Sequence, residues 1–205
     1  MNWRSYDPCK RVIDIAVSSV ALVLTAPIQL VIAGLVRARL GSPVLFRQQR
    51  PGKDQRIFTL VKFRTMLPVD ETHGQVTDEQ RMTKLGVLLR STSLDELPSF
   101  WNVVKGDMSL VGPRPLLVRY LDRYTPEQAR RHEVRPGITG LAQVSGRNAL
   151  LWEDKFAKDV EYVDNRSLML DITIVLATVA KVLRRDGISA ADAVTMPEFM
   201  GSSHG

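Results

Sequence analysis

The sequence has a single cysteine, Cys9, and only three histidines among 205 residues. One cysteine excludes an intramolecular disulfide framework and agrees with a protein that faces the cytoplasm. The histidines, His73, His132 and His204, lack the spacing of a metal site, which argues against the usual zinc centres. The sequence also contains no internal repeat, no low-complexity tract, no Walker loop and no G-x-G-x-x-G motif, so the common nucleotide-binding loops are excluded.

Acidic residues are fewer than basic ones: 22 Asp and Glu stand against 28 Lys and Arg, a formal net charge of +6. This balance fits three kinds of anionic partner, namely nucleic acid, an acidic membrane surface and phosphorylated substrates. A chain of 205 residues is expected to form one domain with a hydrophobic core of its own.

Charged residues are absent from Ile15 to Val36, a run of 22 positions. As one helix, this run would be about 33 Å long, enough to cross a bilayer. The alternatives are a cleaved signal peptide, a simple transmembrane span and a re-entrant segment. Basic residues flank both ends of the run, so the positive-inside rule gives it no orientation. They are Lys10, Arg11, Arg37 and Arg39.

Pro27, near the middle of this run, favours the re-entrant alternative, because proline removes one helix hydrogen bond and kinks the helix. We therefore expect a helix-break-helix over residues 1–40, bent at Ala26 and Pro27, with both ends on the same side of the membrane. The hydroxyl of Thr25 is expected to bond the backbone carbonyl that the proline leaves free.

Polar residues lie at the start of the same segment. Arg11 and Asp14 are three positions apart, a spacing that allows them to pair across one helical turn at the membrane interface. Lys10 precedes them. The alternative is that all three residues merely flank the membrane segment.

Two adjacent carboxylates, Asp95 and Glu96, stand at a predicted helix start. Ser93 is a good N-cap, and Glu96 follows three positions later, the spacing of a capping box. The positive end of the helix dipole would favour ionised carboxylates. An ionised aspartate at a fixed point can act as a nucleophile or bind a hard cation. Apolar residues at helical spacing predict the buried face of this helix: Leu94, Leu97, Trp101 and Val104.

Arginines flank these carboxylates in the sequence. Arg90 lies upstream, and Arg114 lies downstream between two prolines that stiffen its backbone. Arginine binds phosphate through two parallel hydrogen bonds, so carboxylates beside held arginines suggest phosphate chemistry aided by a divalent metal. The alternative is that Asp95 and Glu96 only complement the end of a helix.

Two strands are predicted at 43–48 and 55–65, separated by the turn signal Pro51-Gly52. Lys62 and Arg64 share one face of the second strand because strand side chains alternate. These two cations either hold a phosphate or form the solvated end of the strand.

The stretch from Arg135 to Gly140 is predicted to be a loop whose glycines let backbone N–H groups approach a ligand, unless it is an ordinary connection. Further helices are predicted over 78–90, from Thr125, over 152–163 and from Asp171 onward. The helix from Thr125 has the spacing of a capping box with Gln128. The helix over 152–163 has an apolar stripe expected to face the core, namely Trp152, Phe156, Val160 and Val163. The helix from Asp171 has an apolar face that either packs on the core or lies in the membrane interface. That face consists of Ile172, Val175, Leu176, Val179 and Leu183.

Three segments, in this order, resemble motifs of the bacterial monotopic polyprenol-phosphate phosphoglycosyltransferases. They are Ser93–Pro98, Lys105–Pro115 and Arg135–Arg147. The resemblance runs from about Lys10 to Arg185 and is closest to the minimal, PglC-like members. It implies an α+β, mainly helical fold with a re-entrant membrane helix over 1–40. A catalytic domain with a short β-hairpin and amphipathic interfacial helices would cover 41–185, and an irregular tail 186–205.

The resemblance implies transfer of a sugar 1-phosphate from a UDP-sugar to undecaprenyl phosphate with release of UMP, the first membrane step of glycan assembly. Asp95 would form a covalent phosphosugar intermediate, Glu96 would be a second metal contact or an acid/base partner, and both would hold Mg²⁺. The implied phosphate and nucleotide-sugar contacts are Lys62, Arg64, Arg90, Arg114, Arg135, Gly137 and Arg147. The implied location is the cytoplasmic face of the bacterial inner membrane, with membrane lipids and no nucleic acid as partners; a homodimer is left open.

The sugar is expected to be N,N′-diacetylbacillosamine or a related N-acetylated sugar, because the tail from Gly187 to Gly201 resembles members that act on it. Galactose, glucose and N-acetylgalactosamine are alternatives with the same chemistry. An alternative of another class is a non-enzymatic protein that binds anionic lipid or nucleic acid through its basic charge. Such a protein would not need Asp95 and should tolerate Asp95→Asn.

Overall fold

The computed structural model describes residues 3–72, 76–146, 150–184 and 198–201, and helices dominate it. The α-helices are α1 (Trp3–Leu40), α2 (Asp78–Arg81), α3 (Lys84–Ser91), α4 (Ser99–Lys105), α5 (Pro126–Ala129), α6 (Leu141–Ser145), α7 (Trp152–Asn165) and α8 (Leu168–Arg184). Short 3-10 turns lie at Lys53–Gln55, Leu94–Glu96, Val118–Arg123 and Arg130–Glu133. The strands are β1 (Leu45–Pro51), β2 (Ile57–Phe63), β3 (Ser109–Val111) and β4 (Gly137–Thr139). The predicted mainly helical class is confirmed.

α1 is one long apolar helix that contains Pro8 and Pro27. It continues through Pro27, so the expected break into two separate helices is not observed. The Thr25 hydroxyl donates to the carbonyl of Ala21 at 2.6 Å, and not to that of Val23, which Pro27 leaves without its helix partner. The expectation for Thr25 is therefore wrong, because a helical threonine reaches the carbonyl four positions before its own.

Both ends of α1 pack on the rest of the domain, whereas its middle does not. The buried residues are Tyr6, Asp14 and Ser18 near one end and Ile32, Val36 and Leu40 near the other. None of residues 19–31 is buried. By length and composition, Tyr6–Leu40 is the one helix in the described ranges that could cross a membrane.

Arg11, near the start of α1, binds backbone carbonyls rather than a carboxylate. Its guanidinium donates to the carbonyl oxygens of Val103 at 2.7 Å and Val104 at 3.0 Å. These carbonyls lie in the last turn of α4, where the helix itself supplies no N–H partner. The predicted pair between Arg11 and Asp14 is therefore wrong.

Asp14 accepts hydrogen bonds from the Ser109 hydroxyl at 2.7 Å and from the Leu110 N–H at 3.1 Å. Lys10 lies 2.5 Å from a carboxylate oxygen of Asp171 and 3.8 Å from one of Asp14. These contacts join α1 to β3 and α8, so that the first turns of the apolar helix are fixed against the domain.

β1 and β2 form the predicted antiparallel hairpin, with Leu45 opposite Phe63 and Pro51 opposite Ile57. Its turn lies later than predicted, at Lys53–Gln55. The inward residues of β2 are buried and contribute to the core between the hairpin and the helices.

β3 and β4 pair in parallel, with Ser109 opposite Gly137 and Val111 opposite Thr139. The sequence did not predict this sheet, and the stretch from 135 to 140 was expected to be a loop. Strands of three residues are too short for an alternating pattern to appear in the sequence.

The helix predicted over 78–90 is interrupted at Met82 and divides into α2 and α3. Met82 has an extended backbone, with φ −70° and ψ 124°. Thr83 then caps α3 by accepting a hydrogen bond from the Gly86 N–H at 2.9 Å. The apolar period continues across the interruption, which explains why the pattern predicted one helix.

Two other helix predictions are confirmed. Thr125 and Gln128 form the expected capping box at the start of α5. In α7, Phe156, Val160 and Val163 are buried, as their helical spacing predicted.

α8 presents its predicted apolar face away from the domain. Ile172, Val175, Leu176, Val179 and Leu183 are all exposed. Asp171 and Ile174 face the core instead. Of the two alternatives for this face, packing on the core is therefore excluded.

Candidate active site

The two carboxylates lie in the 3-10 turn Leu94–Glu96, between α3 and α4. Ser93 precedes this turn with left-handed backbone angles, φ 57° and ψ 15°, and its side chain caps nothing. An N-cap residue is normally extended, so the predicted capping box of Ser93 and Glu96 is wrong. α4 begins only at Ser99.

The predicted buried face of this helix is only partly correct. Leu94 and Leu97 pack against the hydrophobic cluster that contains Val36 and Phe63. Trp101 is 58% exposed, so its assignment to the buried face is wrong. The change from a 3-10 turn to an α-helix between these residues alters the rotation per residue, and the stripe does not stay on one face.

Glu96 is held by two cations from distant parts of the chain. Lys62 of β2 lies 2.5 Å from Glu96 Oε1, and Arg114 donates to the same oxygen at 3.0 Å. Burial by itself would raise the pKa of Glu96, but the charges of Lys62 and Arg114 outweigh it and lower the pKa to about 2. Glu96 is thus ionised near neutral pH and lies between two cations.

Asp95 differs from Glu96 both in its contacts and in its pKa. Its side chain makes no hydrogen bond or ion pair with another described residue, and the residue is only 8% exposed. Burial first, and the charge of Glu96 second, raise the pKa of Asp95 to about 6, although Lys62, Arg114 and Arg90 partly oppose the shift. The expectation that a helix dipole keeps this carboxyl readily ionised is therefore wrong. Near neutral pH it is a poorly compensated carboxylate, which suits a nucleophile.

A cleft lies beside Glu96, with an empty volume of about 420 Å³ counted out to its open mouth. Its charged lining consists of Glu96, Lys62, Arg114 and Arg50, and Gly137 also lines it. Arg50, near the end of β1, was not singled out in the sequence. The cleft is lined by several segments that are far apart in the chain, so no local motif could have placed Arg50 there.

The other predicted phosphate contacts bind different partners in the structure. Arg90 donates to the Thr65 hydroxyl at 3.1 Å and acts on Asp95 through its charge. Arg64 donates to the carbonyls of Ser42 and Leu40 at the end of α1. Neither Arg64 nor Arg90 belongs to the cleft lining.

Arg135 also lies away from this lining and donates to the carbonyl of Gly106 at the end of α4. Arg147 lies outside the described residues. Gly137 lines the cleft, but its N–H donates to the Pro113 carbonyl at 3.0 Å and is not offered to a ligand. Its lack of a side chain permits close packing instead, since an added Cβ would lie 2.2 Å from the Gly112 nitrogen.

A buried ion pair holds the backbone of Arg114. Arg131 and Asp159 have side chains 2% and 6% exposed and lie 2.8 Å apart. Arg131 also donates to the Arg114 carbonyl at 2.7 Å. The backbone of the Pro-Arg-Pro segment is thus held by the 3-10 turn Arg130–Glu133 and by α7.

The donor set around Asp95 fits a hard cation better than zinc. The described residues contain no cluster of three or more His, Cys, Asp or Glu side chains able to hold a metal. Asp95 and Glu96 supply two adjacent carboxylates, and both cations on Glu96 bind Oε1. Mg²⁺ is commonly bound by one or two carboxylates, with substrate phosphates and water completing its shell.

Comparison with known proteins identifies the family. The family model described as bacterial sugar transferase matches residues 5–185. The chain belongs to the bacterial sugar transferase family. Together with the long apolar α1, this membership indicates association with a membrane. The predictions of the family and of an enzyme are confirmed, whereas the likeness to its minimal, PglC-like members stays a prediction.

Individual relatives are similar over most of this chain. The uncharacterized sugar transferase EpsL of Bacillus subtilis is 53% identical over 94% of this chain and 96% of its own length. A UDP-glucose:undecaprenyl-phosphate glucose-1-phosphate transferase of Caulobacter vibrioides is 40% identical over 86% of this chain and 70% of its own. A UDP-N-acetylgalactosamine-undecaprenyl-phosphate N-acetylgalactosaminephosphotransferase of Aeromonas hydrophila is 42% identical over 85% of this chain. The match covers only 43% of that relative.

Proposed function

We propose that this enzyme transfers a sugar 1-phosphate from a UDP-sugar to undecaprenyl phosphate and releases UMP. The observation that carries the proposal is the pairing of two unlike carboxylates. Asp95 is buried and lacks a partner among the described residues, while Glu96 beside it is clamped by Lys62 and Arg114. The names of the relatives from Caulobacter and Aeromonas support the same reaction class.

The reaction consists of two displacements at one phosphorus. A carboxylate oxygen of Asp95 attacks the β-phosphorus of the UDP-sugar, and the bond to the bridging oxygen breaks, so that UMP leaves with the electron pair. An oxygen of undecaprenyl phosphate then attacks the same phosphorus and displaces Asp95, which regenerates the free carboxylate. Splitting the transfer in this way lets one site serve both substrates.

Cations of the cleft lower the repulsion between a carboxylate and a diphosphate. Lys62 and Arg114 already lie at Glu96, and their remaining N–H groups would bind phosphate oxygens. Asp95 and Glu96 are the residues that would hold Mg²⁺, which would supply further charge neutralisation when bound. Glu96 thereby orients Lys62 and Arg114 and supplies the second carboxylate for Mg²⁺.

The position of the membrane helix supports a re-entrant topology. Arg11 binds the carbonyls of Val103 and Val104, while the cluster that contains Val36 also includes Leu94 and Leu97. In a straight helix, residues 11 and 36 would be about 37 Å apart. Arg11 nevertheless binds one end of the short stretch 94–104, and Val36 belongs to the cluster against which the other end packs, while the unburied middle lies between them. This pattern is expected of a helix that turns back near Ala26 and Pro27.

The exposed face of α8 is suited to the same membrane surface. It places five apolar side chains outward near a basic last turn with Lys181 and Arg184. Such a face lies in the interface of an anionic membrane. Since UDP-sugars are cytoplasmic, the catalytic domain is assigned to the cytoplasmic face of the bacterial inner membrane.

Thiol labelling in intact cells tests this topology. Cys9 is exposed and reports the start of α1; a cysteine at the exposed position Glu153 reports the catalytic side. Both should react only after the inner membrane is permeabilised. Labelling of Cys9 alone from outside would show that α1 spans the membrane.

The sugar that the enzyme transfers is best identified by testing a panel of UDP-sugars. The sequence cue for N,N′-diacetylbacillosamine lies mostly outside the described residues, and relatives are named for galactose, glucose and N-acetylgalactosamine. We expect UMP release from one UDP-sugar of this panel when undecaprenyl phosphate and Mg²⁺ are present. Lipid binding without UMP release from any sugar would favour the non-enzymatic alternative.

A further inference from the structure

Arg50 is a cleft arginine whose charge no carboxylate among the described residues balances. It lies in β1, and its guanidinium donates to the Gln48 side chain at 2.5 Å and to the Pro115 carbonyl at 3.3 Å. Both partners are neutral. The Nε atom of Arg50 is buried and has no hydrogen-bond partner in the described part of the chain.

The other charges of the cleft do not supply the missing partner. Glu96 is the one carboxylate in the cleft lining, and it is shared by Lys62 and Arg114. Three cations therefore face one bound anion. Burial, and after it the charge of Arg114, lower the pKa of Arg50 to about 10, which shows how poorly its charge is compensated.

Arg50 differs in this respect from Arg131, which holds the backbone of Arg114. Arg131 is more deeply buried than Arg50 and has the carboxylate of Asp159 at 2.8 Å and the Arg114 carbonyl at 2.7 Å. By comparison, the bond from Arg50 to Pro115 is long and supplies no charge. A half-buried guanidinium without a counter-ion is unfavourable, and a bound anion in the cleft would supply the missing charge.

We propose that Arg50 binds a phosphate oxygen of a substrate in this cleft, next to Arg114. The proposal rests on the proposed function and adds a substrate-binding residue to it. The phosphate belongs either to the diphosphate of the UDP-sugar or to undecaprenyl phosphate, and the experiment below separates these two sources. The contact would be made by the N–H groups of the guanidinium tip that neither Gln48 nor Pro115 uses.

Binding is best measured in an Asp95→Asn background, because that variant should hold substrates without turnover. Arg50→Gln removes the charge while keeping a polar side chain. Arg47→Gln is the matched control, since Arg47 lies on the same strand and is exposed. The full-length protein in nanodiscs is titrated separately with a UDP-sugar that the wild-type enzyme turns over and with undecaprenyl phosphate, and the thermal midpoint of each variant is recorded.

We expect Arg50→Gln to weaken one of the two affinities at least about tenfold, as the loss of a hydrogen bond to a charged group does. Arg47→Gln should change neither affinity. Unchanged affinities in Arg50→Gln would overturn the proposal, and so would equal weakening of both together with a lowered thermal midpoint, which indicates a structural role. If the wild-type enzyme releases UMP from no UDP-sugar, the proposed function fails instead.

Discussion

The arginines around the active site form two groups that differ in what their guanidinium groups face. The cleft arginines, Arg50 and Arg114, line the open cleft beside Glu96. The arginines of the second group lie outside the cleft lining and donate to backbone carbonyl oxygens. They are Arg11, Arg64, Arg131 and Arg135.

This comparison shows why arginine-rich motifs are ambiguous in a sequence. Arg114 and Arg135 both lie beside prolines and glycines in segments that resemble family motifs. One reaches Glu96, and the other reaches the Gly106 carbonyl, where a helix end offers an acceptor that lacks its own partner. Phosphate binding and helix-end binding require the same donor, so only the fold separates them.

The largest expected effect concerns Asp95, the proposed nucleophile. Asp95→Asn should reduce turnover on the order of 10³-fold or more, because an amide cannot form the covalent intermediate. UMP release by the purified protein measures the loss. Circular dichroism should show an unchanged helix content, and near-normal UMP release would refute the covalent mechanism.

Removal of divalent metal should have an effect of similar size. An excess of chelator is expected to stop UMP release, and Mg²⁺ should restore it, because two carboxylates and a diphosphate form an oxygen-rich site for a hard cation. Zinc should not replace magnesium efficiently. Full activity in chelator would remove the metal from the proposed mechanism.

A matched pair of lysine substitutions tests the two groups of arginines directly. Arg114→Lys keeps the charge but loses the planar fork, so activity should fall about tenfold or more while the thermal midpoint changes little. Arg135→Lys should lower the thermal midpoint and leave the KM for the UDP-sugar nearly unchanged. The opposite result, in which Arg135→Lys raises KM without loss of stability, would place Arg135 among the substrate contacts.

Some elements could be predicted from the sequence because their signals are local. The β1–β2 hairpin, the capping box of Thr125 and the buried face of α7 depend on residues within a few positions of each other. The adjacent carboxylates and the Pro-Arg-Pro segment were recognised in the same way.

The rest depends on contacts between distant segments. Glu96 looked like a helix cap, but Lys62 and Arg114 draw its side chain away from Ser93. Two ion pairs with partners 34 and 18 positions away in the chain cannot be read from a local pattern. Arg50 was missed for the same reason.

The pH dependence of the reaction should reveal the ionisation of Asp95. Since burial and Glu96 raise its pKa to about 6, the nucleophilic carboxylate becomes protonated below that pH. We expect kcat/KM for the UDP-sugar to fall about tenfold per pH unit on the acid side of pH 6. Glu96, whose pKa is lowered to about 2, should contribute nothing in this range. An activity that stays constant down to pH 4.5 would contradict the raised pKa.

The smallest expected effect is on stability. Asp95→Asn, which should lower the activity, should raise the stability of the fold. The pKa of Asp95 is about 6 in the fold and near 3.8 in the unfolded chain, so the fold holds a proton that the unfolded chain releases. The unfavourable burial of its charge is therefore absent below about pH 4 and fully present above about pH 6, where it amounts to roughly 2–3 kcal/mol. Asp95→Asn should raise the thermal midpoint by a few degrees at pH 8, and this gain should vanish as the pH is lowered to 4. Arg131→Lys, which disturbs the buried pair with Asp159, should lower the midpoint at both pH values. A variant Asp95→Asn that is no more stable than the wild type at pH 8 would show that the three nearby cations, Lys62, Arg90 and Arg114, compensate the carboxylate fully.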